Sequence, residues 1–118
     1  MSETESAPKR VRLGELPVVA VREGVVRRAV SGEGATLAWT TLEVGHEPRP
    51  HSHPNEQIVV LLAGKAVFHV GGIEVVVEPD DVLVIPGGVE HYAEAVGDEP
   101  VVDLSIFTPR RDEYATPI

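Results

Sequence analysis

Residues 45 to 64 read GHEPRPHSHPNEQIVVLLAG, a stretch in which a pair of histidines comes just before an apolar run. His51 and His53 are two residues apart, and in an extended chain residues i and i+2 point to the same face. Two imidazoles on one face can share one metal ion. Gln57 follows at another even offset, just past a Pro-Asn bend, so its amide oxygen is a further candidate ligand.

Another candidate ligand, His91, lies in a second stretch, residues 80 to 95, which reads DDVLVIPGGVEHYAEA. His91 follows the tight PGG turn of residues 86 to 88 and comes 38 residues after His53. A closed barrel or a sandwich can bring such a distant strand next to the first pair. The expected ligands of one metal ion are therefore His51, His53, Gln57 and His91.

Glu56 competes with Gln57 for the fourth ligand position. Glu56 has the charge that favours metal binding, but its odd offset from His53 turns it to the other face of a continuing strand. A bulge near the proline at position 54 would reverse that parity. We expect Gln57 to be the ligand and keep Glu56 as the alternative.

The composition predicts an all-β chain. Its 118 residues are one domain's length, and 21 valines against 8 leucines favour strands, because a β-branched side chain fits a pleated surface better than a helix. Nine short apolar runs separated by turn residues predict a sandwich or a closed barrel. The runs cover residues 16–21, 25–30, 37–44, 57–62, 66–70, 73–77, 82–85, 91–96 and 101–107.

Composition and charge also exclude several classes of protein. Residues 1 to 9 are polar and are expected to form a mobile tail, which leaves residues 10 to 118 as a single domain. No apolar run reaches the ~20 residues of a membrane span, and residues 1 to 8 lack the apolar segment of a signal peptide. The absence of cysteine removes disulfides and thiol chemistry, and a net charge of −9 would repel nucleic acids and anionic membranes. We expect a cytoplasmic protein with no nucleic-acid or membrane partner.

The two histidine-bearing stretches resemble the two sequence motifs of the cupin family. Residues that fit the motif positions are Gly45, His51, His53, Gly64, Pro86, Gly88 and His91. Gln57 stands where an acid is more usual, and Asp80 and Ala95 replace the outer glycine and asparagine of the second motif. The resemblance implies a small cupin-type β-barrel, or jelly roll, that holds one divalent metal ion (Zn, Ni, Fe, Mn or Co).

Residues 51–57 and 107–114 resemble the small cupins that open the ring of unsaturated uronates. The set of three histidines and one glutamine also occurs in aromatic polyketide cyclases of the family. In the uronate group an Asp, a Phe and an Arg near the C-terminus face the substrate, and Phe107 and Arg111 match the last two. The Asp position falls on Ser105, with Asp103 two residues earlier on the same strand face, so either is a candidate for the acid/base position. Arg111 is the candidate catalytic residue; its alternative role is a surface charge paired with an acidic neighbour.

The neutral ligand set predicts the chemistry. Three imidazoles and an amide leave the full +2 charge on the ion, which makes a stronger Lewis acid and favours the divalent state. The expected function is a non-redox metalloenzyme of isomerase, lyase or cyclase type that acts on a small oxygenated substrate, such as an unsaturated uronate or an aromatic polyketide. The alternatives are a metal-dependent dioxygenase similar to quercetinase and a non-catalytic module that binds a small molecule.

Further expectations concern the partner and the remaining histidines. The apolar runs 16–21 and 25–30 precede the metal-bearing strands, and an unpaired apolar edge is a liability in a monomer, so a homodimer is expected. His46 is expected to be solvated or at the barrel rim. His69 is expected to face away from a core that contains Phe68.

Overall fold

The computed structural model describes residues 7–118 and forms nine strands in that range. Each strand overlaps one of the nine apolar runs, so the all-β prediction is confirmed. The first strand begins later than expected, because residues 13–15 form a 3-10 turn and extended pairing starts only at Val19. The strands are β1 (Val19–Arg22), β2 (Val25–Ser31), β3 (Thr36–Leu42), β4 (Glu56–Ala63), β5 (Lys65–Val70), β6 (Ile73–Val77), β7 (Val82–Ile85), β8 (His91–Val96) and β9 (Val101–Thr108).

The segment before β1 has little secondary structure. Of the tail expected over residues 1 to 9, residues 1 to 6 lie outside the described part of the chain. Residues 7 to 9 are exposed and belong to no strand or helix. In residues 7–118, no helix has both the length and the apolar character needed to cross a membrane.

The strands form two antiparallel sheets that enclose one core. The larger sheet has the order β1-β2-β3-β9-β4-β7 and the smaller one the order β6-β5-β8. Strand β9 lies between β3 and β4, so the last strand of the chain completes the larger sheet. This is the small jelly-roll barrel that the sequence predicted. Both sheets contribute to the core, which consists of Val25, Leu42, Val59, Leu61, Ala66, Phe68, Val77, Ile85 and Val101.

The alternation along β9 decides which polar groups enter the barrel. Its buried residues are Val101, Asp103, Ser105 and Phe107, at every second position. Two polar side chains therefore lie inside, on the face that a strand of period two turns toward the core. Strand β9 pairs with β4 in a register that puts Phe107 opposite Gln57. The candidate ligand and the buried polar pair thus share one wall of the barrel.

Strand β5 turns alternate side chains toward the core and toward the outer face, as the sequence predicted. Phe68 is buried, and His69 lies on the opposite face, where its ring stacks on Tyr92 with the ring centroids 4.2 Å apart. The two ring nitrogens of His69 lie 3.6 Å from the carboxylate of Glu74 and 2.7 Å from that of Glu94. His69 therefore belongs to the outer face of the smaller sheet.

Candidate metal centre

Three imidazoles converge on one point inside the barrel. His51 and His53 lie in the loop before β4, and His91 is the first residue of β8. One nitrogen from each ring lies within 4.8 Å of the other two. The backbone fixes this approach: the N–H of His51 donates to the carbonyl of His91 at 3.1 Å, and the N–H of His91 donates to the carbonyl of His51 at 2.9 Å. The two motif segments are thus paired directly at two of the ligands.

The loop that carries His53 lies directly on the turn that precedes His91. The N–H of Gly88 donates to the carbonyl of His53 at 2.8 Å. A Cβ atom on Gly87 would lie 2.2 Å from the carbonyl oxygen of Pro54, a distance that leaves room for glycine alone. Gly87, the first glycine of the PGG turn, therefore allows the two histidine loops to touch.

Backbone carbonyls hold all three rings in the same tautomer. The Nδ1 atoms of His51, His53 and His91 lie 2.8, 3.0 and 2.9 Å from the carbonyl oxygen of a residue two positions away. Since a carbonyl only accepts, we infer that each Nδ1 carries the proton and each Nε2 presents a lone pair. Nε2 of His91 is buried and has no hydrogen-bond partner among the described residues. A metal ion is the partner that suits such a lone pair.

Burial keeps two of the rings in the form that binds metals. Burial lowers the pKa of His53, and the charge of Arg111 lowers it further. Burial also lowers the pKa of His91 from 6.5 to about 4. Both imidazoles are therefore neutral at pH 7, as coordination requires.

Gln57 adds an amide oxygen to the three imidazole nitrogens. Its Oε1 lies 3.1 Å from Nε2 of His53, and its Nε2 donates to Oγ of Ser105 at 3.1 Å. Because Nε2 of His53 has no proton, two lone pairs face each other, and a cation between them would turn that repulsion into attraction. Glu56 is exposed, as the parity argument predicted. Three imidazole nitrogens and one amide oxygen fit a divalent transition metal.

A cavity of about 120 Å³ opens beside His51, Gln57 and His91. Its lining includes four of the chain's ten basic side chains and one acidic side chain, namely Arg22, Arg27, Arg49, Arg111 and Asp103. This local excess of positive charge contrasts with the net charge of −9 for the whole chain. A cavity with such walls attracts anions.

The family model that matches this chain is that of the Cupin domain, over residues 38–107. The match covers more than half of the chain and includes all four candidate ligands. The chain belongs to the cupin family. The resemblance of its two motifs is thereby confirmed, and the three-histidine cluster of this cupin is a site suited to a divalent metal ion.

Solved structures agree with the fold. An RmlC-like cupin from Shewanella frigidimarina superposes with a TM-score of 0.82 at 17% identity, over 92% of this chain and 97% of the other. KdgF from a Halomonas species gives 0.79 at 23% identity, over 91% and 98%. The polyketide cyclase RemF from Streptomyces resistomycificus gives 0.74 at 18% identity, over 86% and 80%. A comparison with curated proteins finds no match.

In this cupin the expected substrate contact, Arg111, lies close to a cation that sequence reasoning missed, Arg27. The guanidinium carbons of Arg111 and Arg27 lie 4.0 and 3.6 Å from the ring centroid of Tyr114. Arg111 pairs with Glu113 at 2.6 Å and donates to the Tyr114 hydroxyl at 2.8 Å, so the alternative of an acidic neighbour is realised as well. Arg27 has no ion-pair partner within residues 7–118. Val25 is buried, so alternation along β2 was the signal that position 27 faces inward.

Asp103 and Ser105, the two candidates for the acid/base position, are both buried on β9. Ser105 Oγ donates to Oδ1 of Asp103 at 3.0 Å. Burial raises the pKa of Asp103 from 3.8 to about 7, although the hydrogen bond from Ser105 opposes the rise. Asp103 thus places in the cavity the carboxyl group that Ser105 lacks, and its role in acid–base chemistry stays a prediction.

His46 is not solvated, so one of its two expected positions is wrong. Its side chain is buried at the wall of the cavity, and its Nε2 accepts a long hydrogen bond of 3.4 Å from the N–H of Ala95. Burial lowers the pKa of His46. The loop before β4 folds against β8, and this long-range contact has no local sequence signal.

Proposed function

We propose that this cupin is a metal-dependent enzyme that converts a small, oxygenated, anionic substrate without redox chemistry, by isomerisation, elimination or cyclisation. The observation that carries the proposal is the meeting of three unprotonated imidazole nitrogens and an amide oxygen beside a cavity with cationic walls. His51, His53, Gln57 and His91 are the proposed ligands of one divalent ion (Zn, Ni, Fe, Mn or Co), because imidazole-rich sites select poorly among these metals.

The ligand set supports non-redox chemistry because all four donors are neutral. A bound divalent ion would supply Lewis acidity, undiminished by any ligand charge, to a substrate oxygen or to water. The chain's own contribution is orientation: the hydrogen bond from each Nδ1 to a backbone carbonyl fixes the plane of each ring. The site is therefore assembled before substrate arrives.

The arginines support an anionic substrate. A guanidinium group binds a carboxylate or an enolate through two parallel hydrogen bonds. Arg111 is held in place by Glu113 and Tyr114. Arg27 lies over the ring of Tyr114 and forms no ion pair with a carboxylate of residues 7–118. Unsaturated uronates carry a carboxylate and aromatic polyketides ionise as enolates, so both classes suit this wall. The structural likeness to a polyketide cyclase is a further reason to test the second class.

Metal analysis of protein purified without a histidine tag tests the site. Wild-type protein should contain nearly one equivalent of divalent metal, and the double variant His51→Ala with His91→Ala should contain almost none. His69→Ala is the matched control, since it removes an imidazole from the outer face of the smaller sheet. A double variant that keeps full metal content would overturn the assignment.

An oxygen electrode tests the reaction class. Unsaturated uronates, aromatic polyketones and flavonols are assayed in turn while dissolved oxygen is recorded. Turnover of one of the first two without oxygen uptake is the expected outcome. Stoichiometric uptake with a good substrate would favour the dioxygenase alternative, and binding without turnover would favour the non-catalytic module.

We further propose that the protein works as a cytoplasmic homodimer. Strand β1 is an edge of the larger sheet, and Val19 and Val21 are exposed on it, together with Val18 just before. A second chain can pair with such an edge and cover its apolar side chains. Light scattering should give about twice the chain mass of 12.7 kDa, and a value near 12.7 kDa at micromolar concentration would exclude the dimer.

A further inference from the structure

A row of three polar contacts links a buried carboxylate to the candidate metal centre. Asp103 Oδ1 lies 3.0 Å from Oγ of Ser105, which lies 3.1 Å from Nε2 of Gln57. The other end of the same amide, Oε1, lies 3.1 Å from Nε2 of His53. Asp103 and Ser105 are both buried, so water does not replace these partners easily.

Above pH 7, where Asp103 is ionised and has no proton to donate, counting protons along the row fixes the direction of each hydrogen bond. A serine hydroxyl has one proton to donate and lone pairs with which to accept. Ser105 donates its proton to Asp103, so toward Gln57 it can only accept. Gln57 must therefore turn its NH₂ group to Ser105 and its carbonyl oxygen to His53.

The opposite orientation of the amide shows what Asp103 contributes. With Gln57 flipped, its NH₂ would donate to the lone pair of His53, and Ser105 would donate to the amide oxygen. Both ends of Gln57 would be satisfied, but Asp103 would lose the hydroxyl donor that it has in the structure. A buried carboxyl without a donor is costly, so the competition of Asp103 for the one proton of Ser105 works against the flip.

We propose that Asp103 is a positioning residue that acts through Ser105 to keep the amide oxygen of Gln57, rather than its NH₂ group, turned toward the metal. An NH₂ group has no lone pair for a cation, so the flipped amide would remove one ligand from the site. The inference rests on the metal site proposed above and adds a cause for the ligation by Gln57.

Zn²⁺ affinity, measured above pH 7 by competition with a chromophoric chelator, tests the proposal without any assay of activity. Asp103→Asn should weaken Zn²⁺ binding about tenfold to hundredfold, because asparagine can offer its own N–H to Ser105 and let the hydroxyl turn to Gln57. Ser105→Ala should weaken binding over the same range, because it removes the hydroxyl that links Asp103 to Gln57. This variant provides the test if Asp103→Asn folds poorly. The visible spectrum of the Co²⁺-loaded protein should change in both variants, because it reports the donor set.

The Gln57→Glu background separates orientation from a general effect of charge. A glutamate has two equivalent oxygens and presents one of them to the metal in either orientation. Asp103→Asn should therefore cause no loss of Zn²⁺ affinity in that background. Asp81→Asn is the matched control: it removes a carboxylate from an exposed turn and should leave Zn²⁺ affinity unchanged.

Two results would overturn the proposed positioning role of Asp103. One is wild-type affinity in both Asp103→Asn and Ser105→Ala. The other is an equal loss from Asp103→Asn in the wild-type background and in the Gln57→Glu background. A wild-type protein that binds no Zn²⁺ or Co²⁺ would instead overturn the metal site, so the two failures are distinguishable.

Discussion

The two walls of the barrel differ in what they turn inward. The larger sheet lines the cavity with the polar side chains Arg27, Thr40, Gln57, Asp103 and Ser105. The smaller sheet packs the core with Ala66, Phe68, Val77, Ala93 and Ala95. Both sheets come from valine-rich runs, so average hydrophobicity does not distinguish them. The difference lies in a few inward positions of the larger sheet, which carries the groups that bind and also supplies six of the nine core residues.

The polar wall is tolerated because its members satisfy one another. Gln57 donates to Ser105, and Ser105 donates to Asp103, so the burial of these groups leaves few hydrogen bonds unmade. His91 is the exception on the smaller sheet. As the first residue of β8 it lies where that sheet reaches the ligand loop, and it provides an imidazole from the otherwise apolar wall.

Phe68→Ala should have the largest effect on stability. The side chain is 3% exposed in the middle of the apolar wall, and truncation of a buried phenylalanine costs about 3–5 kcal/mol of unfolding free energy. Denaturant unfolding measures the loss, and metal content per folded protein should stay at the wild-type level. Val67→Ala, on the outer face next to it, should cost well under half as much. An equal cost at both positions would contradict the placement of Phe68 in the core and of Val67 on the outer face.

Arg27→Ala should weaken binding of the anionic substrate without loss of metal. Hydrogen bonds to charged groups contribute about 1.5–3 kcal/mol each, so we expect at least a tenfold rise in KM or Kd for the substrate identified in the panel. Arg28→Ala is the matched control from the other face of β2, where Arg28 lies over Trp39 and donates to the carbonyl of Leu13. Equal effects of the two substitutions would show that the cation inside the cavity has no special role.

Alternation predicted which residues share a face but not how deeply each is buried. The even offset of Gln57 and the odd offset of Glu56 were sufficient to place one inside and the other in solvent. The same rule puts Arg27 on the inner face, yet its contact with Tyr114 depends on the C-terminal segment lying beside β2. Contacts of that kind join residues far apart in the chain, and no local pattern encodes them.

The turns show the same division between local and distant causes. Asp80 has φ 75, so the outer glycine of the cupin motif marks a left-handed position that aspartate can also adopt. That requirement is local and readable from the motif. The requirement for glycine at Gly87 comes instead from the carbonyl of Pro54, which belongs to the other motif. Sequence reasoning predicted a tight turn there, but not the contact that demands it.

A further expected effect is a change in how stability depends on pH, and it sharpens the account of the polar wall. Burial raises the pKa of Asp103 in the folded protein from 3.8 to about 7. Between these values the folded chain keeps a proton that the unfolded chain has lost. The unfolding free energy contributed by this group therefore falls as pH rises through that interval, by at most about 1.4 kcal/mol per pH unit.

Asp103→Asn removes this pH-dependent contribution to the unfolding free energy. The stability of the variant relative to wild type should rise as the pH increases from 4 to 7 and become constant above that range. Denaturant midpoints of EDTA-treated protein at several pH values measure this difference in stability. The lowered pKa of His91 makes the fold more stable as pH rises from about 4, but this contribution is the same in both proteins and cancels in the difference. Asp81→Asn, on an exposed turn, should follow the wild-type profile. A relative stability of Asp103→Asn that stays flat from pH 4 to 7 would mean that Asp103 is ionised in the folded protein throughout, and that the polar wall contains a fixed negative charge rather than a titrating one.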